Sequence, residues 1–336
     1  MLDLYYGKEI LIYGIITSAM SFFITLFGTA KIINWLTAKG EVVQDYHKPD
    51  RPSIPRPAGP ALVVGIVAAE IVLYLLTWDT KVIAILLTAV ISFFVGFVDD
   101  KKVLPGWFKP VTLIIAAIPL VVLGAHESHL NLEFGRVAIP LLYIPLILVI
   151  IPVAGNTINS IDVLNGVASG FVIIAMIPLL VSIAIFGSNE VFIAALPLLF
   201  GTIALYKYHK FPSKIFPGDS GTLLMGAMYG AIAIAGNSEI VGVIAILPAI
   251  MNSFLFLASV KKIVEHRKVK SRPVVLNDDF KLAASKEKNA PSTLVRLILV
   301  DGPLSEKDIG CQIFKLAIFS SFLSFISIII QYYFLL

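Results

Sequence analysis

The chain has 336 residues, of which 58% are hydrophobic and 14% charged, against about 45–50% and about 25% in ordinary soluble domains. Those proportions exclude a soluble enzyme, and the recurrent apolar runs, each near the roughly 20 residues a membrane helix needs, indicate an all-α polytopic membrane protein. A net charge of +4 is too small and too scattered for a nucleic-acid partner, and the single Cys311 excludes an internal disulfide.

Ten apolar segments read as transmembrane helices: 10–30, 60–77, 81–98, 110–125, 137–154, 167–187, 190–206, 220–236, 239–258 and 311–334. The first is expected to be retained, because Lys8 stands beside Asp3 and Glu9 rather than in a basic cluster and the apolar stretch is too long for a cleaved signal. With ten spans, 23 of the 26 Lys and Arg fall on the connections 31–59, 99–109, 155–166, 207–219 and 259–310 or, as Lys315, just inside the last helix. Only Lys8, Lys81 and Arg136 fall on the other side. The positive-inside rule makes the basic set cytoplasmic and puts both termini opposite. The stretch 259–310 is expected to be a long cytoplasmic loop, with a helix or two lying on the membrane, inside one catalytic domain spanning 1–336. The opposite connections, such as Trp78-Asp79-Thr80, are short and carry no chemistry.

The basic side also collects acids and amides. A Pro-rich arm, with five prolines between Pro49 and Pro60, stiffens the first connection and displays cations, among them Lys48 and Arg56. Asp99 and Asp100 end the third span, where two adjacent carboxylates need a cation, a donor or water close by. Asn156, Asn159, Asp162 and Asn165 recur every three residues in a connection without Lys or Arg, so a helical turn would line them on one face. Amide carbonyls and a carboxylate so placed suit Mg²⁺ or the edge of a base. The alternative there is an Asn-rich turn. Phe216-Pro217-Gly218-Asp219-Ser220-Gly221 leads into the eighth span, where small residues let backbone N–H groups approach an anion beside a metal-holding carboxylate; taken alone, it reads as an Asp cap. The run from Glu265 to Pro273, with His266, Arg267 and Arg272, is a membrane-surface anchor or a phosphate clamp. Together these clusters suggest an anionic substrate taken with a divalent cation, and a lipid as second substrate.

In this order the motifs resemble the polyprenyl-phosphate N-acetylhexosamine-1-phosphate transferases over essentially the whole chain: Pro55-Arg56-Pro57-Ala58-Gly59, Asp99-Asp100, Asn156 to Gly166, Gly218-Asp219, then His266-Arg267. Phe216-Pro217-Gly218-Asp219 and Gly302-Pro303 are similar to the dolichyl branch of archaea and eukaryotes. Asp162-Val163-Leu164-Asn165-Gly166 stands where the bacterial branch has Asp-Gly-Leu-Asp-Gly, and the bacterial triple-histidine signature is absent. The resemblance implies about ten helices, an active site formed by cytoplasmic loops, and transfer of GlcNAc-1-phosphate from UDP-GlcNAc to a polyprenyl or dolichyl phosphate with release of UMP. It implies Mg²⁺, with Mn²⁺ as a substitute, held by Asp219 and Asn159. Catalytic roles fall to Asp99, Asp100, Lys109, His266 and Arg267, and substrate binding to Lys48, Arg56, Asn156, Asp162, Asn165, Phe216 and Arg272. Asn165 takes the uracil-reading place and Phe216 stacks on the base. The partners implied are the two substrates and membrane lipid, with a homodimer left open, and the location is the plasma membrane of a prokaryote, an archaeon by its branch, with the site facing the cytoplasm. Two alternatives outside this class are a cation-coupled transporter, for which only Glu70 lies well within a span, and a CDP-alcohol phosphotransferase, whose aspartate spacing is missing. Within the class, the same reaction with another UDP-HexNAc also fits.

Overall fold

A computed structural model describes residues 2–102, 104–261, 269 and 271–335. Each of the ten apolar segments is mostly helical, although 137–154 starts in a strand and the helix of 110–125 ends at Val122. The long helices are α1 (Leu2–Lys39), α2 (Gly59–Thr77), α3 (Thr80–Lys101), α4 (Phe108–Val122), α5 (Pro140–Ile161), α6 (Val167–Phe186), α7 (Asn189–His209), α8 (Gly218–Ala235) and α12 (Glu306–Leu335). Seven of these, all but α4 and α8, are long and apolar enough to cross a membrane. The expected ninth span is broken into α9 (Glu239–Ala245) and α10 (Leu247–Val260), which meet at a bend of 67° and make an eighth span if counted as one. Leu247-Pro248 opens α10, and a proline in the first turn cannot continue the preceding helix's hydrogen-bond ladder. The chain is therefore a polytopic helical membrane protein, with seven or eight helices among the described residues qualifying by length and composition. At 15 residues, α4 is shorter than a full span, and α8 plays a different part.

Every residue of α8 is buried. It packs against α2, α3, α4, α5, α6, α7 and α9, so it forms the axis of the bundle rather than part of the lipid-facing wall. Its Gly, Ala and Ser content makes that approach feasible, because association between helices in lipid depends on close van der Waals packing more than on apolar area. The outer wall is apolar in turn: Phe27, Leu75, Phe94, Ile115, Leu141 and Phe319 are all exposed.

Among the described residues, three antiparallel hairpins decorate the ends: β1 (Val42–Gln44) with β2 (Ser53–Pro55), β3 (His129–Leu132) with β4 (Gly135–Ala138), and β5 (Val274–Leu276) with β6 (Leu282–Ala284). Among the described residues, 259–310 holds the β5–β6 hairpin, which the apolar pattern did not lead one to expect, and a five-residue helix, α11 (Leu294–Ile298), before α12 begins at Glu306. Leu282 bridges to Leu304 and is buried with Val295, so the loop is folded onto the bundle by its own apolar residues.

Candidate active site

The connections after α1, α3, α5, α7 and α10, which carry nearly all the Lys and Arg, meet at one end of the bundle around a cavity of about 820 Å³. Asp219 stands in its wall, on the first turn of α8. Gly218 before it has φ +74°, and a Cβ there would lie 2.4 Å from Pro57 Cβ and 2.7 Å from Asp100 Oδ2, so only glycine fits. Across from it, a Cβ on Gly96 would lie 2.3 Å from the Asp219 carbonyl oxygen, which shows how directly α3 rests on the start of α8.

That contact delivers Asp100 to the first-turn amides of α8, which have no partner within the helix. Asp219 N–H donates to Asp100 Oδ1 at 2.9 Å, while Ser220 N–H and hydroxyl donate to Oδ2 at 2.9 Å and 2.7 Å. A carboxylate at the positive end of a helix, accepting its orphan N–H groups, is favoured twice over. Backbone pairing brings the opposite charge. Phe216 N–H donates to the Pro55 carbonyl, Ala58 N–H to the Phe216 carbonyl and Gly59 N–H to the Pro217 carbonyl, each at 3.0 Å. The Pro-rich arm thus runs beside 216–217 and sets the Arg56 guanidinium 3.0 Å from Asp100 Oδ1 and 3.4 Å from Asp219 Oδ1. From the other side Lys109, at the start of α4, lies 2.9 Å from Asp99 Oδ2 and 3.3 Å from Asp219 Oδ2. Burial alone would lower the affinity of Arg56 for its proton, but Asp219 and Asp100 more than reverse this and hold it above its ordinary value.

Asp162 caps the end of α5 and completes this tier. Burial pushes its carboxyl up to about 7, with Arg56 pulling down and Asp219 and Asp100 adding to the rise. His209 Nε2 lies 3.5 Å from Asp162 Oδ1, and Ser169 Oγ shares a 2.8 Å hydrogen bond with His209 Nδ1. Asn159 Oδ1 accepts from Thr222 Oγ1 at 2.6 Å, which ties α5 to α8. Among the described residues there is no group of three or more His, Cys, Asp or Glu arranged to hold a metal. Asp219, Asn159 and Asp162 nonetheless offer only oxygen donors to one cavity, and four carboxylates here face two cations. That set fits a hard cation that takes one or two protein ligands and completes its shell with phosphate and water.

A second tier surrounds Asn165. Its Oδ1 accepts from Ser213 N–H at 2.7 Å and Lys48 Nζ at 2.8 Å, its Nδ2 donates to Asp45 Oδ2 at 3.1 Å, and its backbone N–H donates to Glu306 Oε1 at 2.8 Å. Lys48 also pairs with Asp45 and lies 3.6 Å from Glu306 Oε2. Burial would raise the Asp45 carboxyl, yet hydrogen bonds from Lys48 and Asn165 hold it below its ordinary value. Burial keeps His47 below its ordinary value against the pull of Glu306 and Asp45.

Of the residues singled out in the sequence, Arg56, Lys109, Asn159, Asp162, Asn165, Phe216, Asp219 and Arg272 line the cavity. Asp99 and Asp100 stand behind the wall and reach the site through Lys109 and Arg56. Lys48 lies behind Asn165, and Asn156 turns back to donate to the Pro152 carbonyl at 2.8 Å, so the every-third-residue face begins at Asn159. His266 and Arg267 lie outside the described residues. Asp45, His47 and His209 line the cavity without having been foreseen, and Glu306 supports it from the start of α12. His47 stands next to Lys48 in the sequence; Asp45 and Glu306 carried no such signal, and 141 residues separate Glu306 from Asn165.

The sequence pattern of glycosyl transferase family 4 matches residues 82–237, from near the start of α3 through α8, including the Asp99, Asp100, Asn159 and Asp219 motifs. A Saccharolobus solfataricus protein named "Putative UDP-N-acetylglucosamine--dolichyl-phosphate N-acetylglucosaminephosphotransferase" is 30% identical over 262 residues, 75% of this chain and 80% of its own length. The chain belongs to glycosyl transferase family 4. A Sulfolobus acidocaldarius protein of the same name is 28% identical, over 66% of this chain and 71% of its own. A Bacillus subtilis protein named "Probable undecaprenyl-phosphate N-acetylglucosaminyl 1-phosphate transferase" is 28% identical, over 54% of this chain and 51% of its own. Within this family the chain is an integral membrane phosphotransferase.

Proposed function

We propose that the protein transfers GlcNAc-1-phosphate from UDP-GlcNAc to a dolichyl or other polyprenyl phosphate, at the cytoplasmic face of an archaeal plasma membrane, as a first step of lipid-linked glycan assembly. The observation that carries this reading is Asp219 clasped between Arg56 and Lys109 in the wall of a cavity at the basic end of a membrane bundle. The names of the Saccharolobus and Sulfolobus relatives supply the same pair of substrates.

In the step, an oxygen of the lipid phosphate attacks the β-phosphorus of UDP-GlcNAc. A new P–O bond forms, the bond from the β-phosphorus to the bridging oxygen breaks, and UMP leaves with that electron pair. No strong base is obligatory, because a phosphomonoester with a second pKa near 6 is largely a dianion at neutral pH. Catalysis then consists mainly of positioning and charge stabilisation. Asp219 and Asn159 would hold Mg²⁺, with Mn²⁺ as a substitute, which when bound neutralises the diphosphate. Lys109 and Arg56 have their cationic ends at the same carboxylate and can turn to phosphate oxygens as substrates arrive. Asp99 and Asp100 anchor those two cations and through them would orient the lipid phosphate. Phe216 offers a flat face to the base and Asn165 its amide. Arg272, on the loop that forms one cavity wall, supplies a forked donor to the diphosphate or sugar, with His266 and Arg267 in the same run.

Purified protein supplied with UDP-GlcNAc, polyprenyl phosphate and Mg²⁺ should release UMP and yield a lipid product heavier by one GlcNAc-1-phosphate, read by mass spectrometry across a panel of UDP-sugars. UMP release without polyprenyl phosphate, or substrate flux into proteoliposomes with no lipid product, would overturn the reading.

A further inference from the structure

The hydrogen bonds around Asn165 leave its side chain one unused capacity. An amide oxygen has two lone pairs and an amide nitrogen two hydrogens. Both lone pairs of Oδ1 are taken, by Ser213 N–H and Lys48 Nζ, and one hydrogen of Nδ2 is taken by Asp45 Oδ2. A single N–H remains. Reversing the amide would set its NH₂ against a backbone N–H and an ammonium, and its oxygen against the Asp45 carboxylate. The partners are themselves held: Asp45 is 4% exposed and Glu306 7%, and Lys48 pairs with both. Asp45 faces the positive Lys48 ammonium as well as the Asn165 amide, and His47 N–H donates to its Oδ1 at 3.2 Å.

We infer that Asp45 is a positioning residue for nucleobase selection: it locks Asn165 with an N–H, and no acceptor, free for the cavity. A pyrimidine that presents a carbonyl oxygen there, as uracil does, gains a hydrogen bond. Cytosine in the same place presents its amino group, and donor meets donor. The inference rests on the proposed placement of the base against Asn165, and it adds a residue that acts on the base only through that amide.

The test is the affinity of the purified full-length protein for UMP and CMP, measured by calorimetry beside its thermal unfolding temperature. The wild type should prefer UMP. Asp45→Ala should narrow the UMP:CMP ratio by about tenfold or more, the scale of one buried hydrogen bond set at odds. Asp45→Asn keeps an oxygen that can accept from Nδ2 and should restore most of the preference. Should Asp45→Ala fail to accumulate as folded protein, Asp45→Leu removes the acceptor while keeping the shape. An unchanged ratio in Asp45→Ala or Asp45→Leu, with both affinities weakened alike, would mark a merely structural role and overturn the inference. If Asn165→Ala collapses the preference while the Asp45 variants do not, Asp45 alone is wrongly assigned. If Asn165→Ala keeps the preference, the placement of the base fails and takes this inference with it.

Discussion

The two tiers of the cavity use the same residue types to opposite ends. Around Asp219, charges face charges: Asp99, Asp100, Asp162 and Asp219 against Arg56 and Lys109. Around Asn165, charges are spent on directing one neutral amide. A group whose field matters is replaceable only by another of its sign, whereas a group that fixes a hydrogen-bond direction can be replaced by anything that donates or accepts in the same place. The first tier should therefore govern rate and the second selectivity.

Among substitutions, the largest effect that sharpens this contrast is Asp219→Ala, expected to lower kcat by about 100- to 1,000-fold, on the scale of removing one preorganised electrostatic contact. The UMP-release assay checks it, and full metal-dependent activity in the variant would place the metal elsewhere. Chelation of the divalent cation should abolish transfer in the wild type, with Mg²⁺ restoring it and Mn²⁺ doing so to some degree. Persistent turnover in chelator would break the fit between this oxygen-donor set and a hard cation. Asp100→Ala leaves Arg56 and the first amides of α8 without their shared partner, and about 3 kcal/mol of stability should be lost, read as a lower unfolding temperature in detergent. Gly218→Ala should cost about 2 kcal/mol from its left-handed backbone alone, and should also slow transfer, because the added carbon presses on Pro57 and Asp100. The smallest effect belongs to the second tier. Asn165→Ala should raise KM for the UDP-sugar about tenfold with kcat little altered, as loss of uniform binding does. A fall in kcat as large as that of Asp219→Ala would erase the distinction between the tiers.

The helical, membrane-spanning character was legible from composition, because bilayer thickness fixes a length and an apolarity that a sequence must display. Which helix forms the centre was not. The segment 220–236 read as one span among ten, yet α8 is buried along its whole length and does not itself reach the apolarity of a membrane-crossing helix. Its glycines and alanines were the visible trace of that role. The bend between α9 and α10 and the β5–β6 hairpin were missed for a different reason: periodicity in short apolar runs does not separate helix from strand, and a proline marks a break without giving its angle. Within the site, Asp99, Asp100 and Asp219 stood out because acids at the ends of apolar runs are costly unless partnered. Asp45 and Glu306 did not stand out, because an acid on a polar arm or in the first turn of a helix needs no special reason to be there.

The sequence by itself determined that this chain lives in a bilayer, that its basic residues are sorted to one set of connections, and that acids and amides gather in the same set. Those facts follow from local quantities, the hydropathy of a run and the charge of the turn after it. Only the tertiary structure decided which acid faces which cation. Arg56 reaches Asp219 because 55–59 pairs with 216–217, and Asp100 reaches the same helix end because Gly96 lets α3 rest on α8. Contacts between residues separated by more than a hundred positions depend on how helices pack, and the chain records that packing only in the sizes of side chains spread over several spans.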